Sequence, residues 1–284
     1  MLMGHGFKEV ELLGQNVNAW RHDGKDFADL LEAVAGVPGL ARLRFATSYP
    51  SEFTERMMDV MASRPNIPKA LHLPVQAGSN RVLRRMKRFY TREEYLEKAE
   101  LLRKKMPQLT LSTDVIVGFP GETEADFQDT MTLVREAAFE WMYSFKYSPR
   151  EGTPAARWEA DFVPEAEARE RLARLQAMQR EIQEEALRRE VGRVAPVLVE
   201  GPSKRSPAVL TGRSDRGFAV NFEACPPSGG GTAALEGDIV PVRIVRAMPN
   251  SLWGETLSPM QAALASGGAA KHATIGLTGP GGPP

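Results

Sequence analysis

The chain has 284 residues, in which 36 basic and 36 acidic side chains cancel to a formal net charge of zero, with 42% hydrophobic and 25% charged positions. That composition excludes a largely disordered chain, a polycation and an acidic tail, and it is enough for one large core or two smaller ones. No stretch approaches the roughly 20 consecutive apolar residues that cross a bilayer, and the opening residues lack the blocks of a secretory leader, so the sequence reads as cytoplasmic with no membrane partner.

From residue 10 to about 148, short apolar runs alternate with amphipathic segments, the pattern of strand and helix units wound into a parallel sheet. Strands are predicted over 10–14, 43–47, 70–76, 112–119 and 142–148, most of them near-continuous apolar runs as in strands covered on both faces. Helical patterns fill the gaps. The clearest spans 91–106, where Thr91 and Glu94 form a capping box, Tyr95, Ala99 and Leu102 mark the apolar stripe, and Pro107 ends it.

Residues 158–191 form a connecting segment, mostly one long helix from 164 with Leu172, Leu175, Met178 and Ile182 on one face and Gly192 as its stop. Short alternating runs around Val197, Val220 and 240–245, punctuated by Gly201, Gly212, Gly217 and the 229–231 glycines, predict a small antiparallel barrel over 192–257. Residues 258–284 are rich in Gly, Ala and Pro and read as a disordered tail, unable to bury enough surface to offset the entropy of ordering.

Five polar and glycine-rich clusters follow the predicted strands, on the face where barrel-like α/β folds bind ligands. They are Gly14-Gln15-Asn16, Thr47-Ser48-Tyr49-Pro50, Gln76-Ala77-Gly78-Ser79, Gly118-Phe119-Pro120-Gly121-Glu122 and Ser148-Pro149-Arg150. Gly78 and Ser79 open a helix whose N–H groups suit a carboxylate or phosphate, and Gly118 and Gly121 would let a flat ring approach the backbone. Strand-to-helix turns need Gly, Pro and capping residues in any case, but five in step on one face favour a ligand site.

Side chains alone supply no evident reaction. There is no nucleophile elbow, no Walker loop and no marked carboxylate pair, so no catalytic residue is assigned. The single cysteine, Cys225, has no positional argument for reactivity and cannot by itself build a disulfide, zinc site or iron–sulfur site. The histidines at 5, 22, 72 and 272 fall at no ligand spacing, so no metal ligands are expected. His72 reads as a hydrogen-bonded structural histidine rather than a base, and Trp141, Tyr143, Phe145 and Tyr147 as core or barrel lining.

Three tracts stand in the order and spacing of one family: Leu12-Leu13-Gly14-Gln15-Asn16-Val17-Asn18, Leu71-His72-Leu73-Pro74-Val75-Gln76-Ala77-Gly78-Ser79 and Asp114-Val115-Ile116-Val117-Gly118-Phe119-Pro120-Gly121-Glu122. The chain resembles the radical S-adenosylmethionine methylthiotransferases from about Gly6 to Leu257. The run Gln15 to Asn18, the run Val199-Glu200-Gly201-Pro202-Ser203-Lys204 and the tract from Tyr147 to Ala156 are similar to the tRNA-modifying branch. Tyr49 stands where many relatives would have His.

The resemblance implies a partial parallel (β/α) barrel that binds S-adenosylmethionine, over 1–157, followed at 192–257 by an all-β, OB-like TRAM domain that binds RNA. The implied reaction puts a methylthio group on C2 of N6-isopentenyladenosine in a tRNA anticodon stem-loop, with the cofactor supplying the radical chemistry. By the same resemblance Gln15, Ser48, Gln76, Gly78, Ser79, Asp114, Ile116, Gly118 and Glu122 line the cofactor site, Ile116 and Gly118 near the adenine. In the TRAM region, Lys204, Arg205, Arg213 and Arg216 would meet RNA phosphates, with solvated surface charge as the alternative for a domain of nearly balanced charge.

The family holds one [4Fe-4S] cluster on a C-x-x-x-C-x-x-C loop and a second on an N-terminal domain, and this sequence contains neither set of cysteines. The expectation is therefore a C-terminal portion, lacking the first barrel strand and catalytically incomplete alone, with a separately encoded N-terminal fragment as a candidate partner. A strand left unpaired at the barrel's opening edge would favour association. The alternative is a tRNA-binding module without chemistry.

Overall fold

The computed structural model describes residues 2–46, 48–204, 206–223 and 236–257. Thr47, Arg205, Cys225, the 229–231 glycines and the 258–284 tail lie outside the described residues.

The chain opens with β1 (Glu9–Leu12), the hairpin strands β2 (Arg21–His22) and β3 (Lys25–Asp26), and α1 (Phe27–Ala35). It continues through β4 (Arg42–Phe45), α2 (Glu55–Ser63), β5 (Ala70–His72), α3 (Asn80–Arg85), α4 (Arg92–Lys105), β6 (Thr110–Val117), α5 (Glu124–Ala137) and β7 (Trp141–Lys146). All long-range pairings here are parallel: β1 with β4, β5 with β6, and β6 with β7. No ladder joins β4 to β5 among the described residues, and β1 pairs on one side only. The result is an open, partial parallel barrel.

The five expected strands and the helix after Thr91 are present. Thr91 and Glu94 close the capping box, and Tyr95, Ala99 and Leu102 are buried. The strand expected over 70–76 ends at His72, because Pro74 has no N–H to give a ladder. Gln76 then rejoins the sheet as an isolated bridge to Val115. The β2–β3 hairpin was not foreseen, although its turn residues Asp23 and Gly24, both at positive φ, are a recognised hairpin signal.

The main core lies outside the sheet, between strands and helices. In β6, Leu111, Val115 and Val117 join Tyr95, Leu102, Phe127 and Leu133 in one apolar cluster. The alternate residues Ser112, Asp114 and Ile116 are half-buried and share the concave face with Trp141, Tyr143 and Phe145 of β7. Tyr143 and Phe145 remain 61% and 53% exposed, so only one face of this edge strand is covered. The expectation of strands covered on both faces therefore fails at β7.

Helix α6 (Glu165–Arg189) links two cores: Leu175 and Met178 enter the first, Leu187 the second. Gly192, at a φ of 90°, turns the chain after it. The second core fills a closed barrel of β8 (Val194–Ser203), β9 (Ser206–Ser214), β10 (Ala219–Glu223), β11 (Ile239–Ala247) and β12 (Leu252–Thr256), in the cyclic order β10-β12-β11-β8-β9. The barrel is not purely antiparallel as expected, since β10 and β12 run parallel. Closing an odd number of strands requires at least one parallel neighbour pair.

The small barrel seals one end of the large one. Arg42, almost fully buried at the start of β4, donates to the carbonyls of Arg213 (2.9 Å) and Pro196 (3.1 Å). Phe218 packs against Trp141 at the start of β7, with ring centroids 6.0 Å apart. The turn between β9 and β10 thus closes the end at which the parallel strands begin, and their C-terminal ends stay open.

Candidate functional site

At the open end, loops after successive strands are fastened to one another. Asn18, fully buried, brackets Tyr49: its Oδ1 accepts from the Tyr49 N–H at 2.8 Å and its amide donates to the Tyr49 carbonyl at 3.0 Å. The loops after β1 and β4 are thereby joined. Sequence reasoning assigned Asn18 no role, although it ends the Gln15-to-Asn18 run. Tyr49 in turn accepts from the Phe89 N–H at 3.2 Å through its hydroxyl and packs edge-on against Tyr90.

Two groups of this end are incompletely committed. Ser48 is buried, yet its hydroxyl has no partner, an unusual cost for a polar atom out of water. Gln76 occupies the left-handed region, with a φ of 71°, which a residue bearing a Cβ seldom adopts. The conformation is enforced by β6: the Gln76 N–H donates to Asp114 O and its carbonyl accepts from the Ile116 N–H, both at 2.8 Å. Gln76 is half-buried, as are Asp114 and Ile116 on the concave face, whereas Gln15 lies exposed in the turn after β1.

Lower on that face His72 accepts or donates through Nδ1 to Ser112 Oγ at 3.0 Å, and its Nε2 lies 3.5 Å from Asp114 Oδ1. A cavity of about 450 Å³ lies between these residues and the sealing turn, lined among others by Arg44, His72, Ser112, Tyr143 and Arg216.

Other predicted site residues turn into the protein. A Cβ on Gly78 would sit 2.4 Å from Thr130 Cα, so this glycine permits close packing on α5, not ligand approach. Its N–H donates to Thr130 Oγ1 at 2.9 Å, and Ser79 Oγ donates to Asp126 Oδ1 at 2.6 Å. The helix N-terminus expected to take an external anion already faces the Asp126 carboxylate. Gly118 faces Ala168 of α6, 2.8 Å from where its Cβ would be, and Gly121 faces the Arg85 guanidinium at 3.2 Å. Both openings expected for a flat ring are filled by side chains of the protein.

Glu122 is buried with Arg171, accepting from Arg171 at 2.8 Å and from the Gly118 N–H at 2.7 Å. Burial pushes its carboxyl upward against the pull of the Gly118 N–H and Arg171. Asp126 shows the reverse balance. Burial raises it too, but bonds from Arg81, Ser79 and Thr123 outweigh that and hold it well below the usual carboxylate range.

In the small barrel the expected phosphate contacts divide. Lys204 is exposed. Arg213 binds Glu200 at 3.1 Å and the Gly217 carbonyl at 3.3 Å, and Arg216 is tied to the buried Glu190 at the end of α6. Arg216 serves the junction, and its partner lies too far away in sequence to be guessed. Two cations that sequence reasoning passed over, Arg243 and Arg246, are exposed on β11, Arg246 with its guanidinium 5.9 Å from the Trp253 ring. For Arg243 the alternation with Val242 and Ile244 was the available signal; Arg246 is turned outward by the register shift after Ile244, which the sequence pattern does not show. Among the described residues no group of three or more His, Cys, Asp or Glu is arranged to hold a metal ion, and no helix is long and apolar enough to cross a membrane.

Comparison with known proteins adds sequence relationships to this geometry. The radical SAM superfamily model matches residues 3–134, and the TRAM domain model matches residues 188–257. A Burkholderia thailandensis protein named tRNA-2-methylthio-N(6)-dimethylallyladenosine synthase is 48% identical over 261 residues, covering 89% of this chain and 56% of its own length. Proteins of the same name from Stutzerimonas stutzeri and Chromohalobacter salexigens are 47% and 45% identical, covering 90% and 91% of this chain and 57% of their own lengths. The chain spans a little over half the length of these curated relatives.

Proposed function

Because the radical SAM superfamily model matches residues 3–134 and the TRAM domain model residues 188–257, we propose that the chain is the barrel and RNA-binding portion of a tRNA methylthiotransferase. The reaction class is transfer of a methylthio group to C2 of N6-isopentenyladenosine in a tRNA anticodon stem-loop, with the cytoplasm as the compartment this implies. The observation that carries the reading is the pairing of an open parallel barrel, polar at its strand ends, with a closed barrel, across a stretch that is 48% identical to a synthase of that name.

S-adenosylmethionine fits the open end. The orphaned Ser48 hydroxyl needs a partner, the half-buried Gln76 and Asp114 offer further polar groups, and Ile116 gives an apolar surface for the adenine. Bound there, the cofactor supplies an activated methyl group and, on one-electron reduction, the means to break a C–H bond. This chain's residues would bind and orient it: Ser48 and Gln76 by hydrogen bonds, Ile116 by contact, and Asp114 by charge. Gly78, Ser79, Gly118 and Glu122 would act behind them, fixing the loops.

A [4Fe-4S] cluster does not fit these residues. Such clusters are held by thiolates, and Cys225 is the one cysteine in 284 residues. We assign the cluster ligands to residues outside these 284, in an N-terminal portion that would act together with them. The lone cysteine is also what favours the second reading, a tRNA-binding module without chemistry.

Titration calorimetry with S-adenosylmethionine separates the two. One binding site is expected, weakened roughly tenfold in Gln76→Ala by loss of about 1.4 kcal/mol of hydrogen bonding. No detectable heat at millimolar cofactor would overturn the cofactor reading and leave the binding module. Anaerobic reconstitution of the 284-residue chain with iron and sulfide is expected to give no stable four-iron cluster, and a stable one would refute the assignment of its ligands elsewhere.

A further inference from the structure

We propose that Phe89, flanked by Arg84, Lys87 and Arg88, is a stacking platform for an unpaired nucleotide of the RNA substrate at the rim of the open barrel end. The inference rests on the tRNA reading and extends it to a surface outside the TRAM domain.

The local geometry begins with the end of α3. The Lys87 N–H donates to Arg84 O at 3.0 Å and the Arg88 N–H to Leu83 O at 2.9 Å, with Lys87 in the left-handed region at a φ of 55°. Helices often end on such a residue, usually glycine. The reversal throws Phe89 outward, where at 81% exposure it is the most exposed large hydrophobic side chain among the described residues. Its neighbour Tyr90 goes the other way, buried with its hydroxyl donating to Val75 O at 3.0 Å. The mount is firm, because the Phe89 N–H is held by Tyr49, and Tyr49 by Asn18.

Charge around the ring is unbalanced. Nearby cations that serve the fold are paired: Arg81 with Asp126, Arg85 with Asp161, and Arg92 with Asp129 and Glu136. Arg84 and Lys87 are exposed with no ion-pair partner among the described residues. Arg88 lies 5.7 Å over the Tyr49 ring, and its Nε is buried without an acceptor. On its other side Phe89 borders a hollow lined by Glu55, Glu94 and Glu97 with Lys98, whose ammonium is taken by the Pro50 and Phe53 carbonyls, a net negative wall that would repel phosphate. A strand of RNA stacked on this ring would therefore run its backbone along the Arg84–Arg88 side.

This combination of an exposed ring with unpaired cations is what binds single-stranded nucleic acid, since every base has a π-face and every linkage a negative charge. Tyr49 belongs to the loop after β4 and Val75 to the loop after β5, so the platform stands at the same end as Ser48 and Gln76. A base stacked there would leave its neighbour facing the barrel mouth.

The test is fluorescence anisotropy of the full chain with two RNAs: an anticodon stem-loop bearing isopentenyladenosine, and a blunt duplex of matched length. Phe89→Ala is expected to weaken stem-loop binding roughly tenfold, leave duplex binding unchanged and leave the thermal midpoint unchanged. Phe89→Trp is expected to restore affinity and show emission quenched by the stem-loop. Lys87→Gln should lower the salt dependence by about 0.7 in the log–log slope if one phosphate contact is lost. Unaltered stem-loop affinity in Phe89→Ala, or equal weakening on the duplex, would overturn the platform while the tRNA reading stands. Failure of the unaltered chain to bind either RNA would overturn both.

Discussion

The two barrels put inward-pointing side chains to opposite uses. In the small barrel these residues are the core: Val220, Phe222, Val242, Ile244 and Leu252 are fully buried. Its bore is so narrow that a Cβ on Gly254 would lie 2.3 Å from Val242 Cγ1. In the large barrel the core is packed behind the strands, and the concave face carries His72, Ser112, Asp114 and two half-exposed aromatics. Closure is what separates them. A closed five-stranded barrel has room only for its own side chains and binds on its outside, whereas an open parallel one keeps a face for a guest.

That contrast is sharpest at a pair of phenylalanines. Phe222→Ala in the small barrel should cost about 3–5 kcal/mol of unfolding free energy, read by urea denaturation. Arg171→Ala should cost a similar 3–5 kcal/mol, because it leaves Glu122 ionised and buried without its cation. A loss below about 1 kcal/mol there would show that Gly118 alone satisfies the carboxylate.

A smaller effect tests the two acids at this loop. The unfolded chain binds a proton at Asp126 that the folded one refuses, so this group's contribution is present above about pH 4 and is lost as the solution is acidified below it. Glu122 acts in the other sense: its carboxyl is raised, so its contribution is lost as pH climbs through and above the ordinary glutamate value of about 4.3. Urea midpoints measured from about pH 2 to about pH 6, on both sides of these ordinary values, should show Asp126→Asn losing the acid-side fall. The smallest change is expected from Phe145→Ala on the concave face, within about 0.5 kcal/mol of the unaltered chain, the mirror of Phe222.

Periodicity made the strands and helices legible, since each rests on local patterns such as the Thr91 and Glu94 box or the stripe on α6. The candidate site was legible in position but not in orientation. A glycine that admits a ligand and a glycine that makes room for the protein's own atoms are the same letter; Gly78 and Gly118 lie against α5 and α6, and Gly121 against the Arg85 guanidinium. Arg216 looked like a surface cation because its partner Glu190 is brought to it only by the fold. Phe89 and Tyr90 are adjacent and similar, and only the left-handed Lys87 before them decides which one is buried.

The contact of Arg42 with the carbonyls of Arg213 and Pro196 bears on how this protein can be divided. Expressing residues before 192 by themselves would leave the Arg42 guanidinium without those two acceptors and bare the indole of Trp141, while the complementary piece would lose Leu187 from its centre. The two halves should therefore melt together in a single calorimetric peak, and a boundary that looks natural along the chain would be a wound in three dimensions.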